Sequence, residues 1–133
     1  LAIVPVRSLA GGKTRLAGVL SPTERETLVR RMLDHALATI ADAGIAAGAL
    51  VVSPDPAARA FARGRGVAVL AQAAAAPGLN AAVTLGRQRA LALGMEQALV
   101  LFADLPLLRP DDVRRLVAHP SPVVLAPDRH GVG

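Results

Sequence analysis

The stretch Ser8 to Gly18, "SLAGGKTRLAG", follows a short apolar run, "LAIVPV", and sets two glycines directly before Lys13, Thr14 and Arg15. Glycine lets a backbone approach a ligand closely, and lysine and arginine can neutralise phosphate oxygens, arginine in bidentate fashion. Gly11 and Gly12 are therefore candidate nucleotide contacts, with Lys13 and Arg15 as the catalytic cations beside them. The stretch is not a P-loop, because the pattern G-x-x-x-x-G-K-[ST] needs glycine where this chain has Arg7.

Asp104 ends the most apolar run of the chain, "QALVLFAD", where a lone carboxylate is ordinarily avoided. Such an oxygen ligand suits Mg²⁺, which keeps several waters and is commonly held by one or two carboxylates plus substrate phosphates. The alternative is a turn in which Asp104 bonds backbone two residues on. The other strand ends offer Ser53 and Asp55, then Pro77, Gly78, Leu79 and Asn80, and finally Asp128, Arg129, His130 and Gly131. Asn80 reads as a base contact or as the cap of the helix it precedes, and Asp128 as a second acid or an Asx-turn residue. His35 reads as a satisfied core histidine and His119 as a helix-end residue. Asp111 and Asp112 read as first-turn acids favoured by the helix dipole. Neither a Ser/His/Asp or Cys/His set nor zinc-like spacing is present. What remains is a cation-rich loop and an acid at a neighbouring strand end. Those are the parts of a nucleotidyl transfer, attack on an α-phosphorus with pyrophosphate leaving.

Strands and helices must alternate to place these groups together. "LAIVPV" reads as a buried strand, with Pro5 pushing it toward an edge or its end. Ser21, Pro22 and Glu24 make a capping box that opens a helix, and Gly44 stops it. A second strand spans Gly48 to Ser53, a short helix Ala57 to about Arg63, and a third strand Val67 to Leu70. "AQAAAAPGLN" is the least readable part and can be helical until Pro77-Gly78 breaks it. A helix follows from Asn80 to Leu93, then the strand Gln97 to Asp104, a helix opened by Pro110, and a final strand in "SPVVLAPD". The order implies a three-layer α/β/α domain with a mostly parallel sheet, whose sites gather at the carboxyl ends of strands.

The 133 residues fit one domain. Apolar residues make up 53% and aromatics 2%, so the core is aliphatic and a base-stacking platform for nucleic acid is not expected. A formal charge of +5 favours an anionic partner. There is no cysteine, hence no disulfide framework or thiolate metal site, and no apolar run reaches the roughly 20 residues of a membrane span. A cytoplasmic protein with no membrane partner is the expectation, and oligomeric state is not readable. The chain starts without Met at a strand-like Leu1 and stops in a glycine-rich turn, as an excised domain truncated at both ends does.

Together, "VPV", "KTRLAGVLSPTER", "VVSPD", "PGLNAAV", "ADLPLLRPDDV" and "APDRHG", in that order, resemble the 2-phospho-L-lactate or phosphoenolpyruvate guanylyltransferases of coenzyme F-420 biosynthesis. The resemblance implies a Rossmann-like, nucleotide-diphospho-sugar transferase-like fold, GTP as cosubstrate, Mg²⁺ as metal, and a phosphorylated three-carbon acid as acceptor. It implies that Lys13 and Arg15 meet the triphosphate and that Pro77, Gly78, Leu79 and Asn80 lie along the guanosine, with Ser53 and Asp55 also on the nucleotide side. It implies Asp104 on the metal and Asp128, Arg129 and Gly133 toward the acceptor. In that family a threonine- and asparagine-containing segment contacts the acceptor and further acids complete the metal site; this chain stops before both. "LAGGKTRLAG" also approaches the Leu-Ala-Gly-Gly signature of molybdenum-cofactor guanylyltransferases, which keeps molybdopterin or a sugar phosphate as an alternative acceptor. Outside that reaction class stand a basic nucleic-acid-binding module and a non-catalytic nucleotide-binding domain.

Overall fold

In the computed structural model, which describes residues 1–127, the apolar runs pair side by side in one parallel sheet. Strands β1 (Ala2–Pro5), β2 (Ala49–Ser53), β3 (Ala68–Ala71) and β4 (Leu99–Val100) lie in the order β3-β2-β1-β4. Between them run α1 (Pro22–Asp42), α2 (Pro56–Arg63) and α3 (Leu79–Ala92), and α4 (Pro110–Ala118) follows β4. Alternate strand residues face opposite sides. Ala2, Val4 and Val51 meet Leu33, Leu37 and Ile40 of α1, Ala58 and Ala62 of α2, and Val113 of α4. Ile3, Leu50 and Val52 meet Ala82 and Leu85 of α3 on the other face. This is the expected three-layer arrangement, with α3 standing by itself on its face among the described residues.

Local chemistry explains the boundaries. The Ser21 hydroxyl accepts the Glu24 N–H at 3.2 Å while the Glu24 carboxylate accepts the Ser21 N–H at 2.7 Å, and Pro22 takes the first helical position. Gly44 and Gly94 follow α1 and α3 with φ of +74° and +70°, a left-handed backbone that other residues adopt at a cost. Pro5 ends β1, but β1 lies inside the sheet, not at its edge.

Three expectations are corrected. The run from Gln97 to Asp104 is strand only at Leu99–Val100; the Leu101 N–H still donates to the Ile3 carbonyl at 3.0 Å, and beyond it Phe102 turns outward, 42% exposed. The final strand does not form within residues 121–127; Val123 and Leu125 are 76% and 82% exposed, and among the described residues no neighbouring strand takes their backbone groups. Residues 72–78 are turns, not helix. The Gln72 carboxamide donates to the carbonyls of Ala76 at 2.7 Å and Gly78 at 2.9 Å, which fixes a loop where alanine propensity alone favours helix.

Gly86 lets α3 approach β1: a Cβ there would lie 2.5 Å from Cγ2 of Ile3, itself buried. Gly86→Val is expected to cost about 1–3 kcal/mol by overpacking, read from urea unfolding. An unchanged midpoint would contradict this close approach.

Candidate functional site

Because the strands are parallel, the loops after all four leave the same edge of the sheet. The chain steps outward from β1 to β2 and β3, then returns to β4 on the other side of β1. The loops after β1 and β4 therefore diverge at a switch point, the usual place for a crevice in such sheets. Two sequence candidates meet there: Lys13 Nζ lies 3.1 Å from Asp104 Oδ2, across 91 residues of chain. Their side chains are 32% and 57% exposed, and pairs this open contribute only about 0–1 kcal/mol. Both charges thus stay accessible to a ligand at little energetic cost. The carboxylate of Asp104 meets Lys13 rather than its own turn.

The loop holding Lys13 is anchored on either side of it. Leu9 is buried, and its N–H donates to Asp55 Oδ2 at 2.8 Å. The Gly11 N–H donates to the Ser8 hydroxyl at 3.1 Å. A Cβ on Gly12 would come within 2.7 Å of Cγ2 of Val29, so the loop lies directly on α1. Lys13 has φ +55°, alone among the described non-glycine residues in that region, a strained conformation of the kind found at ligand sites. It opens a single 3-10 turn, Thr14–Leu16, on which Arg15 is exposed with no side-chain partner among the described residues.

Ser53 and Asp55 spend their side chains on the scaffold. The buried Ser53 hydroxyl accepts the Asp55 N–H at 3.0 Å, and Asp55 Oδ1 accepts the Ala57 N–H at 2.8 Å, capping α2. Partial burial pushes the Asp55 carboxyl up, but the amides of Leu9, Ala57 and Ala58 and the Ser8 hydroxyl outweigh it and hold it below the usual value. A carboxylate lowered by folding stabilises the protein above its unfolded pKa, and that stability is lost as pH falls through the folded one. Asp55→Ala is expected to cost about 1–3 kcal/mol at pH 7, from the lost cap and the stranded Leu9 amide. In urea unfolding at several pH values, the gap to wild type should narrow below about pH 4. A gap that ignores pH would contradict this role.

On the β2 and β3 side a cleft of about 550 Å³ is lined by Pro5, Arg7, Pro54, Gln72, Pro77 and Gly78, among others. Its size and mostly apolar walls with a few polar groups suit a small organic ligand. Gly78 has φ +99° and ψ 168°, a backbone almost confined to glycine, and it occupies the cap position of α3. Asn80 is consequently not the cap; it is the second residue of α3, exposed, and its side chain has no hydrogen bond among the described residues. Leu79 is 48% exposed beside it. Sequence reasoning used Arg7 only to exclude a P-loop and passed over Gln72, since a single side chain bonding to carbonyls leaves no periodic signal. A second cavity, about 560 Å³, opens at the opposite, amino edge of the sheet and holds none of the candidate residues.

Asp128, Arg129 and Gly133 lie outside the described residues. Among the described residues no three His, Cys, Asp or Glu side chains form a metal-binding group. Asp104 alone fits an ion that takes its remaining ligands from water and substrate phosphate, as Mg²⁺ does, and does not fit a metal held by a full protein cage. His35 is satisfied but not in the core: it is exposed, with Nε2 3.0 Å from the Leu108 carbonyl. His119 ends α4, and Asp111 and Asp112 occupy that helix's first turn, as expected.

The family model described as "Guanylyl transferase CofC like" matches residues 1–133. A phosphoenolpyruvate guanylyltransferase of Sphaerobacter thermophilus is 42% identical over 100% of this chain and 64% of its own length. One of Rubrobacter xylanophilus is 46% identical over 96% of this chain and 62% of its own. The chain thus spans somewhat less than two thirds of these relatives. A solved structure from Desulfovibrio desulfuricans G20, carrying the name nucleotide-diphospho-sugar transferase, superposes with a TM-score of 0.69 over 86% of this chain and 51% of that one, at 20% identity. It shares the fold. No helix among the described residues is long and apolar enough to cross a membrane.

Proposed function

The chain belongs to the CofC-like guanylyl transferase family, and on that footing we propose that it forms the nucleotide-binding part of an enzyme moving GMP from GTP to phosphoenolpyruvate. The same reading assigns the reaction to coenzyme F-420 biosynthesis, in the cytoplasm. Residues 1–133 act as one nucleotidyltransferase domain, and acceptor and metal groups beyond them complete the site. The observation that carries the reading is the Lys13–Asp104 pair at the sheet's switch point, on the same carboxyl edge of the sheet as a cleft of nucleoside size.

In this reaction an oxygen of the acceptor's phosphate forms a bond to the α-phosphorus of GTP, and the bond from that phosphorus to the bridging oxygen breaks, leaving pyrophosphate with the electron pair. The cleft walls and the Pro77, Gly78, Leu79 and Asn80 segment hold the guanosine, with Arg7 at its phosphate end. Gly11 and Gly12 bring backbone close to the triphosphate, and Lys13 and Arg15 offset its charge. Ser53 and Asp55 keep that loop in place and shape the nucleotide side without touching the base. Asp104 holds Mg²⁺, which when bound offsets phosphate charge. Asp128, Arg129 and Gly133 belong to the acceptor side.

GTP labelled at the α-phosphorus tests the reaction class. The label should pass into a product that also contains the acceptor, while label at the γ-position leaves in pyrophosphate. Transfer of γ-label to the acceptor would make the protein a kinase and overturn the reading.

A further inference from the structure

Arg25 stands in the first turns of α1, four residues before Val29 and eight before Leu33. Residues so spaced share one face of a helix, and two contacts fix which way this face looks. Val29 packs at Gly12, and Leu33 is fully buried in the core beneath the sheet. Arg25 is therefore one turn nearer the carboxyl edge, on the face that carries the Gly12-Lys13 loop. Its Nε is buried and has no hydrogen-bond partner among the described residues. Arg30 pairs with Glu26 at 2.8 Å, Arg65 with Asp34, and Arg114 with Asp111 and the Asp42 carbonyl, while Arg31 is exposed to solvent; Arg25 differs from them in that its orphaned Nε is buried. A buried donor without a partner is costly, and native proteins seldom retain one without a use.

We propose that Arg25 is a further cation of the phosphate site, its guanidinium taking an oxyanion of either the nucleoside triphosphate or the phosphorylated acceptor. The planar fork of an arginine matches phosphate oxygens, and binding supplies the partner that the free protein withholds from Nε. The inference rests on the proposed nucleotidyl transfer and names a residue that neither the glycine-lysine loop nor Asp104 includes.

The two roles open to Arg25 predict opposite signs, which makes the test direct. Arg25→Met keeps the apolar stem and removes the orphaned donor; Arg25→Lys keeps the charge without the fork. In the protein at its natural length, thermal unfolding without ligand is compared with titrations of GTP and Mg²⁺, and of phosphoenolpyruvate onto the GTP-loaded protein. Arg25→Met should unfold at the same or a higher temperature, yet bind one of the two ligands at least tenfold more weakly, with partial recovery in Arg25→Lys. The ligand that weakens identifies which oxyanion Arg25 holds. Both affinities within twofold of wild type, or an affinity loss that follows a lowered unfolding temperature, would overturn the proposal. Wild-type protein that binds neither ligand would instead overturn the proposed function itself.

Discussion

Asp104→Asn is expected to lower GMP transfer by about a hundredfold or more, the scale on which a single electrostatic group at a reacting phosphate acts, while the fold stays as it is. The side chain is more than half exposed, and among the described residues its partner is Lys13 alone. An exposed pair of this kind contributes no more than about 1 kcal/mol, and asparagine preserves the shape. On the proposed reading the loss should fall chiefly on kcat and be eased by raised Mg²⁺, because the substitution would remove a charged oxygen ligand and leave the cleft proposed for the guanosine untouched. Assay of kcat and KM alongside urea unfolding separates the two effects. Activity within threefold of wild type, or an activity loss matched by unfolding, would contradict the assignment.

Lys13→Met should cost about 10²–10³ in kcat, since its ammonium is paired with Asp104 at 3.1 Å and so, on the proposed reading, stands at the phosphates. Lys13→Arg is expected to recover only part of this. The backbone at residue 13 sits in the left-handed region and aims the side chain from a fixed point, and a guanidinium fork does not replace a compact ammonium. Residues in direct contact rarely act independently, so the double variant Lys13→Met with Asp104→Asn should lose less than the product of the single losses. Steady-state kinetics of the three variants gives that coupling directly; strictly multiplicative losses would mean that the two groups serve separate ends.

Most of the scaffold was legible because its signals are local. The Ser21, Pro22 and Glu24 box, the glycines at 44 and 94, and the strand from Gly48 to Ser53 each depend on neighbours within a few residues. Lys13 and Asp104 were both legible from type and place, and the topology then brought them together. What escaped depends on partners far away in sequence. "QALVLFAD" and "SPVVLAPD" have the composition of long strands, but a strand extends only as far as another lies beside it, and among the described residues β4 pairs with β1 over Leu99–Val100. The alanine run reads as helix until Gln72 claims two carbonyls of the loop. Asp55 reads as a nucleotide-side group from its place after a strand; its bond to the Leu9 amide, 46 residues away, was not legible. Arg25 hides for the opposite reason: charge on a helix ordinarily means a solvated face, and only packing reveals a buried Nε.

The most direct test of the central proposal is pyrophosphate release by the protein at its natural length, with Mg²⁺, each of the four nucleoside triphosphates, and phosphoenolpyruvate, phospho-L-lactate or phosphoglycerate. Release with GTP and phosphoenolpyruvate, and its loss in Asp104→Asn, is the expected result. Release that needs none of the three acids, or no release with any pair, would overturn the assignment of this site to guanylyl transfer onto a phosphorylated acid.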